Sequence, residues 1–311
     1  MTDSERDTHQ IWRGNKATFA LCVVMVVAFF LLQQPNYHYF TMKHDIGINM
    51  ESQGIKQTET LKQLEVVVTF PYMLDPTFKL IAHGERNETD KMQRMEEYMT
   101  CLKLTLNHRF ISRVHLLYDQ PSIVRYIISQ LDHSIRSKIT FQLVKDAVIS
   151  LTAFEYVFSN LQGRLVMMMQ ADNYPGDGFN LVDKNLLREK KLMYALTRHG
   201  QLESDCDMKN SISSNSCAKG RYIGSHDGYI FVPNGNLPTN ATKIMNVKSY
   251  KFGIDNLIIW MFKNVLHYRV LNPCKIIHIF HLHCSGVRNR DNIKRVSKGR
   301  LGLQPPTDEL F

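Results

Sequence analysis

The 311-residue chain has no internal repeat, no low-complexity tract and no C-x-x-C pair. The missing C-x-x-C spacing argues against a zinc site built from thiolates. Charged residues make up only 22% of the sequence and apolar residues 44%. This balance argues against wholesale disorder and allows one large domain with a substantial core.

Charge is also absent from residues 17–32, ATFALCVVMVVAFFLL, which follow Arg13 and Lys16. The run predicts a membrane span at the short end of the usual length of about 20 residues. No small-x-small cleavage site follows Leu32, which argues against a cleaved signal peptide. The basic residues before the run predict a cytoplasmic N-terminus. The expected organisation is a cytoplasmic tail (1–16), a transmembrane signal anchor (17–32), a stem (33–62), a globular domain (63–288) and a basic tail (289–311).

Two glycosylation sequons, at Asn87 and Asn240, agree with a lumenal domain. The cysteines allow Cys206 to pair with Cys217 and Cys274 with Cys284, but neither pairing follows from the sequence. The net charge of +9 is concentrated near the C-terminus. A basic tail of this kind either holds an anionic ligand or is a solvated, partly mobile terminus.

The globular part alternates strand and helix patterns. Clustered β-branched residues at 64–70, ended by Pro71, predict a buried strand. A helix with one apolar face is predicted from the spacing of Met92, Met95, Met99, Leu102 and Leu106. Strands follow at 113–118, 138–144 and 165–169, with helices from Pro121 to about 131 and from 151 to 161. The alternation predicts an α/β fold with a parallel sheet covered on both faces.

In the segment RLVMMMQADNYPGD, residues 164–177, the fourth predicted strand is followed by the acidic residue Asp172. Open parallel sheets bind ligands beyond the carboxyl ends of their strands, where Asp172 is expected to lie. A carboxylate there suits a magnesium or manganese ion. Alternatively, Asp172 and Asn173 stabilise the turn at Pro175–Gly176.

Three later segments contain further candidate residues. Asp227 precedes an aromatic, β-prone run, or belongs to an Asp-Gly hairpin turn. Asp255 and Asn256 open an apolar helix, where Asp255 can act as the N-cap. His281 and His283 share one face of a predicted strand and suggest a metal or pyrophosphate contact. Histidines in an apolar strand are also common as core residues.

Five segments, taken in order, carry a family resemblance. They are QADNYPGD at 170–177, ALTRH at 195–199, SHDGYIF at 225–231, FGIDN at 252–256 and NPCKIIHIFHLHCSGVR at 272–288. They resemble a family of glycosyltransferase-like proteins with a nucleotide-sugar-binding GT-A fold. The resemblance spans about 64–288. It implies a GT-A-like, Rossmann-like α/β domain with a mostly parallel sheet flanked by helices, preceded by one N-terminal transmembrane helix.

The resemblance implies glycosyl transfer from a nucleoside diphosphate sugar to a glycan or glycoconjugate acceptor. Mn²⁺ or Mg²⁺ is the implied cofactor, with Asp172, Asp177, His281 and His283 as its ligands. Residues implied to bind the donor diphosphate are Arg198, Asp172 and Arg288, with a salt bridge as the alternative for Arg198. Asp227 is implied to be the base if the anomeric centre is inverted, with Asp255 and Asn256 orienting the acceptor or Asp227.

The implied location is the Golgi or another membrane of the secretory pathway, in a single-pass protein with its C-terminal domain in the lumen. The expected partners are the sugar donor, the acceptor and the membrane, with no nucleic acid.

Four departures from the family pattern fall at the expected metal edge. Gln170 replaces an Asn, and Asn173 replaces a hydrophobic residue. Gly176 takes the place of the second acid, which follows one residue later as Asp177, and His226 replaces a Gln. These changes keep open an alternative, a catalytically inactive relative that acts as a membrane-anchored lectin-like or adaptor protein.

Overall fold

The computed structural model describes residues 64–74, 88–199, 217, 226–285, 295–296, 299–300 and 302–311. The predicted membrane span and stem, together with Asn87 and Arg288, lie outside these residues. No helix within the described ranges is long and apolar enough to cross a membrane.

The first half of the domain alternates strands and helices, as predicted. Its elements are β1 (Leu64–Thr69), α1 (Glu88–Asn107), β2 (Ile111–Tyr118), α2 (Ser122–Gln130), α3 (His133–Arg136), β3 (Ile139–Leu143), α4 (Ser150–Asn160) and β4 (Leu165–Met169). The predicted boundaries of these strands and helices lie within a few residues of the observed ones, because each apolar pattern ends at a turn signal.

The second half contains shorter strands and less regular connections. Its elements are β5 (Asn173–Pro175), a 3₁₀ turn (Phe179–Leu181), α5 (Lys184–Glu189), β6 (Leu192–Thr197), β7 (His226–Phe231), α6 (Thr239–Met245), α7 (Ile254–Asn264), β8 (Arg269–Leu271) and β9 (Ile279–His281). Asp227 lies inside β7, so the hairpin-turn alternative for this residue is wrong.

The main sheet has seven strands in the order β3-β2-β1-β4-β7-β6-β8. Strand β7 runs antiparallel to both of its neighbours, and the other four pairings are parallel. The amino end of β7 therefore lies at the same edge of the sheet as the carboxyl ends of β1, β2, β4 and β6. The expectation of a mostly parallel sheet flanked by helices is confirmed.

Helices cover both faces of this sheet. Val66 and Val68 of β1 pack in a core with α1 and α2, whereas Val67 packs on the opposite face with α4 and α7. Successive strand side chains point to opposite faces, so the consecutive valines of β1 supply apolar side chains to both faces. One residue of the predicted apolar face of α1 differs: Met92 is 53% exposed.

A separate two-stranded sheet pairs β5 with β9 in antiparallel register, with Asn173 opposite His281 and Pro175 opposite Ile279. Strand β9 also contacts the residues that follow β6: the amide of His281 donates to the carbonyl of His199 at 3.1 Å. The segment after β8 is thus held between the chain leaving β4 and the chain leaving β6.

The disulfide expectations need correction. Cys274 pairs with Cys217, and Cys284 lies in another disulfide. Both pairings offered by the sequence are therefore wrong. The extended strand β9 lies between Cys274 and Cys284, which separates their side chains.

The last ten residues, 302–311, dock on the domain, which corrects the view of the whole tail as solvated. The carbonyl of Gln304 lies 3.1 Å from Nε2 of the buried His226 and accepts from Asn272 Nδ2 at the same distance. Tyr194 donates its hydroxyl hydrogen to the carbonyl of Leu310 at 2.8 Å. Together with the bond from the amide of Thr307 to the carbonyl of Asn272, these contacts fix the segment.

Gly302 sets how closely this docked segment approaches α7. A Cβ atom at Gly302 would lie 2.4 Å from the carbonyl oxygen of Asn256 and 2.4 Å from the amide nitrogen of Trp260. Both contacts are with helix backbone, which cannot move aside as a flexible side chain can.

We expect Gly302→Ala to lower the free energy of unfolding by about 1–3 kcal/mol, because the added methyl group overpacks the segment against α7. Urea denaturation measures this change. Gly235→Asn is the matched control, since Gly235 has open space and a positive φ that Asn tolerates. Equal stability of Gly302→Ala and the wild type would contradict the docking.

Candidate metal centre and adjoining cleft

The pairing of β5 with β9 brings together residues that are about 110 positions apart in the sequence. Asp172 immediately precedes β5, and its carbonyl accepts a hydrogen bond from the amide of Leu282 at 2.8 Å. His281 ends β9, and its Nε2 lies 3.1 Å from Oδ2 of Asp172. His283 follows two residues later, with its ring centroid 5.4 Å from that of His281.

Asp172, His281 and His283 can serve as ligands of one cation. One ligand atom from each residue lies within 4.8 Å of the others, and Asp172 and His281 are buried. The carboxylate suits hard cations and the imidazoles suit transition metals, so this donor set fits Mn²⁺ better than Mg²⁺. A buried acceptor, Oδ1 of Asn173, has no hydrogen-bond partner among the described residues. The three residues therefore fit a divalent cation in donor type and proximity.

Asp172 is ionised in this environment. Burial opposes its charge, but His281, the guanidinium of Arg94 and His283 together hold the pKa of Asp172 well below its usual range. Oδ2 of Asp172 accepts from Nη2 of Arg94, and Oδ1 accepts from Nδ2 of Asn173 at 3.1 Å. Both carboxylate oxygens therefore have partners within the protein.

Arg94 and Glu97 belong to the candidate site, although the sequence did not single them out. Both lie on α1 and are buried, and Nη1 of Arg94 lies 2.6 Å from Oε2 of Glu97. Glu97 also accepts hydrogen bonds from the amides of Cys284 and Ser285, directly after His283. The sequence offers one signal for these two residues, a pair of opposite charges three positions apart on a helix with an apolar face. Such pairs usually face solvent, so the signal does not predict burial.

A cleft of about 250 Å³ adjoins Asp172 at the carboxyl edge of the sheet. It is lined at the ends of three parallel strands, by Thr69 as the last residue of β1, Asp119 after β2 and Gln170 after β4. Arg94 also lines it, together with Tyr250. This is the edge at which open α/β sheets bind ligands.

Asp227 lies at the same edge, in a smaller adjoining cavity of about 90 Å³. Its carboxylate is fully buried, with Gln170 Nε2 donating to Oδ1 at 3.1 Å and Arg198 Nη1 lying 3.2 Å from Oδ2. Burial raises the pKa of Asp227, and the charge of Arg198 only partly opposes this effect. Arg198 therefore forms a salt bridge with Asp227, and its contact with the donor stays a prediction.

Asp255 and Asn256 lie in the first turn of α7, and Gly253 rather than Asp255 occupies the N-cap position. The neighbouring Ile254 lines the cavity beside Asp227. Asn256 is buried, with Gly302 packed against its backbone. Their acceptor-orienting roles stay predictions.

Asp177 is exposed and is not part of the ligand group. Its carbonyl accepts from the amide of His278, which places it about four residues, or roughly 13 Å, along the ladder from Asn173. The adjacent Gly176 cannot carry an acid in this packing, because a Cβ there would lie 2.3 Å from the ring of Phe280. The structure therefore does not bring Asp177 to the other predicted ligands.

Two further predicted residues can be placed. His226 is buried beside the docked C-terminal segment, and burial lowers its pKa to about 4, so it is neutral at physiological pH. Asn240 is exposed on α6, and its glycosylation stays a prediction.

Comparison with known proteins finds likeness in structure alone. No protein-family model matches the sequence, and no curated protein matches it. The solved structures that it resembles include GalNAc-T7 with UDP, GalNAc and Mn²⁺, at a TM-score of 0.41 and 9% identity over 75% of this chain and 46% of that one. Another is S. aureus TarS 1-349 in complex with UDP-GlcNAc, at a TM-score of 0.38 and 12% identity over 76% of this chain and 61% of that one.

A third structure, 4-diphosphocytidyl-2C-methyl-D-erythritol synthase from Anaerococcus prevotii, has a TM-score of 0.35 and 11% identity over 74% of this chain and 92% of that one. The chain spans about half to three fifths of the GalNAc-T7 and TarS structures. At these identities and TM-scores the neighbours carry no argument about activity, which has to come from the site.

We expect Arg198→Met to lower the free energy of unfolding by about 1–3 kcal/mol at pH 7.5, because it leaves Asp227 buried without its counter-charge. Loss of Arg198 raises the folded-state pKa of Asp227 further above the unfolded value near 3.9. The cost is therefore present above the folded pKa and disappears as acidification protonates Asp227.

Urea denaturation at pH 7.5 and pH 4.5 measures the difference, which should shrink at the lower pH. Arg113→Met is the control, since Arg113 is exposed and hydrogen-bonds the neutral Thr140. It should change the unfolding free energy by less than about 0.5 kcal/mol. A pH-independent effect of Arg198→Met would contradict the assignment.

Proposed function

We propose that this chain is a GT-A-like glycosyltransferase that moves a sugar from a nucleoside diphosphate sugar to a glycan or glycoconjugate acceptor. The observation that carries this proposal is the convergence of Asp172, His281 and His283 beside a cleft at the carboxyl edge of the sheet. A carboxylate and two imidazoles next to a cleft of this size suit a cation and a phosphorylated ligand together.

Asp172, His281 and His283 would hold the cation in this proposal. When bound, a divalent cation supplies positive charge that neutralises the diphosphate as the sugar leaves. The cleft between Thr69 and Tyr250 would hold the nucleotide portion of the donor, since it opens directly from Asp172.

Asp227 would accept the proton of the acceptor hydroxyl if the reaction inverts the anomeric centre. Its buried carboxylate has a raised pKa, which makes it a stronger base than an exposed aspartate. It lies at the same edge as Asp172, and the side chain of Gln170 donates to it. Asp255 and Asn256 would orient the acceptor from the start of α7.

The secretory pathway is the proposed location, with the domain in the lumen and the chain anchored by residues 17–32. The disulfide between Cys217 and Cys274 supports an oxidising compartment. The exposed Asn240 is available for glycosylation on this proposal.

The alternative is an inactive relative that binds glycans or partners without turnover. One observation favours it: the charge of Asp172 is already paired with that of Arg94. Turnover of a nucleotide sugar separates the two functions.

We expect one nucleotide sugar to raise the melting temperature of the full-length chain by about 5 °C or more at 100 times its dissociation constant. This rise should need Mn²⁺, because the cation and the diphosphate share the site. A thermal-shift screen of nucleotide sugars with and without Mn²⁺ measures it, followed by a donor-hydrolysis assay.

Asp172→Asn should remove the Mn²⁺-dependent part of the shift, since it removes the ligand charge with little change in shape. Asp177→Asn is the matched control: this acid is exposed and outside the ligand group, so the shift should persist. A Mn²⁺-dependent shift that survives Asp172→Asn would refute the assigned site. A screen in which no nucleotide sugar stabilises the chain would refute the proposed function, and glycan binding without hydrolysis would support the alternative.

A further inference from the structure

Arg94 places a positive charge of the chain itself on the candidate cation ligand. Its side chain reaches from α1 so that Nη2 donates to Oδ2 of Asp172. His281 approaches the same oxygen, with Nε2 at 3.1 Å. The oxygen of Asp172 that faces the histidines is therefore shared between a guanidinium and an imidazole.

Several contacts fix Arg94 in this position. Nη1 lies 2.6 Å from Oε2 of Glu97 and 3.3 Å from the carbonyl oxygen of Leu282. Its guanidinium carbon lies 4.6 Å from the centre of the Tyr98 ring. With only 3% of its surface exposed, Arg94 cannot swing into solvent without breaking all of these contacts.

Glu97 connects this arginine to the segment that carries His283. It accepts from the amides of Cys284 and Ser285, and the Ser285 hydroxyl donates to its Oε2 at 3.0 Å. The position of Arg94 and the position of the chain after His283 therefore depend on the same carboxylate.

A divalent cation held by Asp172 has to share that carboxylate with Arg94. Like charges a few ångströms apart in a buried site repel more strongly than in water. Gln170 is a neutral amide and adds no compensating charge at this edge. The Arg94 charge must therefore reduce the affinity of the Asp172 group for a cation.

We propose that Arg94 is a positioning residue that sets the cation affinity of the Asp172, His281 and His283 group by competing with a divalent cation for Oδ2 of Asp172. The inference rests on the proposed function only in that this group binds a cation. It predicts a site in wild-type protein that binds Mn²⁺ weakly. If Arg94 only formed a structural ion pair, replacing it would lower the stability of the fold and leave the Mn²⁺ affinity unchanged.

The test is Mn²⁺ binding to the full-length chain without nucleotide, followed by the electron paramagnetic resonance signal of free Mn²⁺. Arg94→Met alone would leave Glu97 buried without its counter-charge, so the test variant is the double substitution Arg94→Met with Glu97→Gln. The amide oxygen that Glu97→Gln introduces can still accept from the amides of Cys284 and Ser285. Relative to Glu97→Gln alone, we expect the Mn²⁺ dissociation constant of the double variant to fall about tenfold or more, because the competing charge is gone.

Two controls isolate the charge of Arg94. Arg94→Lys keeps a positive charge, and its Mn²⁺ dissociation constant should stay within about threefold of wild type, since the ammonium still faces Asp172. Adding Asp172→Asn to the double variant should abolish the gain in affinity. If the Met variant does not fold, Arg94→Gln with Glu97→Gln removes the same charges with a side chain that still donates to Asp172.

The outcomes separate this inference from the proposed function. Mn²⁺ binding that is lost with Asp172→Asn but unchanged by removal of the Arg94 charge would overturn the inference and leave the metal site in place. The metal site itself would be overturned if no variant bound Mn²⁺, or if Asp172→Asn left Mn²⁺ binding unchanged. Tighter binding in the double variant, reversed by Asp172→Asn, supports the inference.

Discussion

The short pairing of β5 with β9 is the constraint on which the candidate site depends. Three residues on each side, with Asn173 opposite His281, hold the chain after β4 against the chain after β8. A slip of one residue in this register would turn the side chain of His281 to the other face of the ladder and away from Asp172. The buried side chains of Ile277 and Ile279 oppose such a slip, because they occupy the core under the pair.

The electrostatics of the site follow from burial. Asp172 and Asp227 are both buried at the carboxyl edge, and each has an arginine: Arg94 for Asp172 and Arg198 for Asp227. A buried carboxylate without a counter-charge is costly, so the pairing lets two acids occupy one edge of a folded protein. The same pairing leaves little excess negative charge to attract a cation. A sheet edge whose buried acids are paired with arginines suits an anionic ligand better than a sheet edge with unpaired acids.

Much of the fold follows from the sequence, and the reasons are local. The apolar runs of β1 and β4 and the spacing of Met95, Met99 and Leu102 are patterns that a strand or a helix produces by itself. The order of the motifs predicts Asp172 and His281 as site residues. Their contact depends on the pairing of β5 with β9. Arg94 and Glu97 could not be found in this way, because charged residues on a helix usually face solvent. Only the tertiary contact with Asp172 and with the amides after His283 explains their burial. The Cys217–Cys274 pairing likewise depends on the path of the chain.

Three of the four departures from the resembled pattern have a packing partner in the fold. Gly176 leaves room for the ring of Phe280, which lies where any Cβ would be. The ring of His226 contacts the carbonyl of Gln304 and so joins β7 to the docked C-terminal segment. Gln170 donates to Oδ1 of Asp227 and so connects the chain after β4 to the amino end of β7. Gly176, His226 and Gln170 are therefore integrated in the packing of the domain.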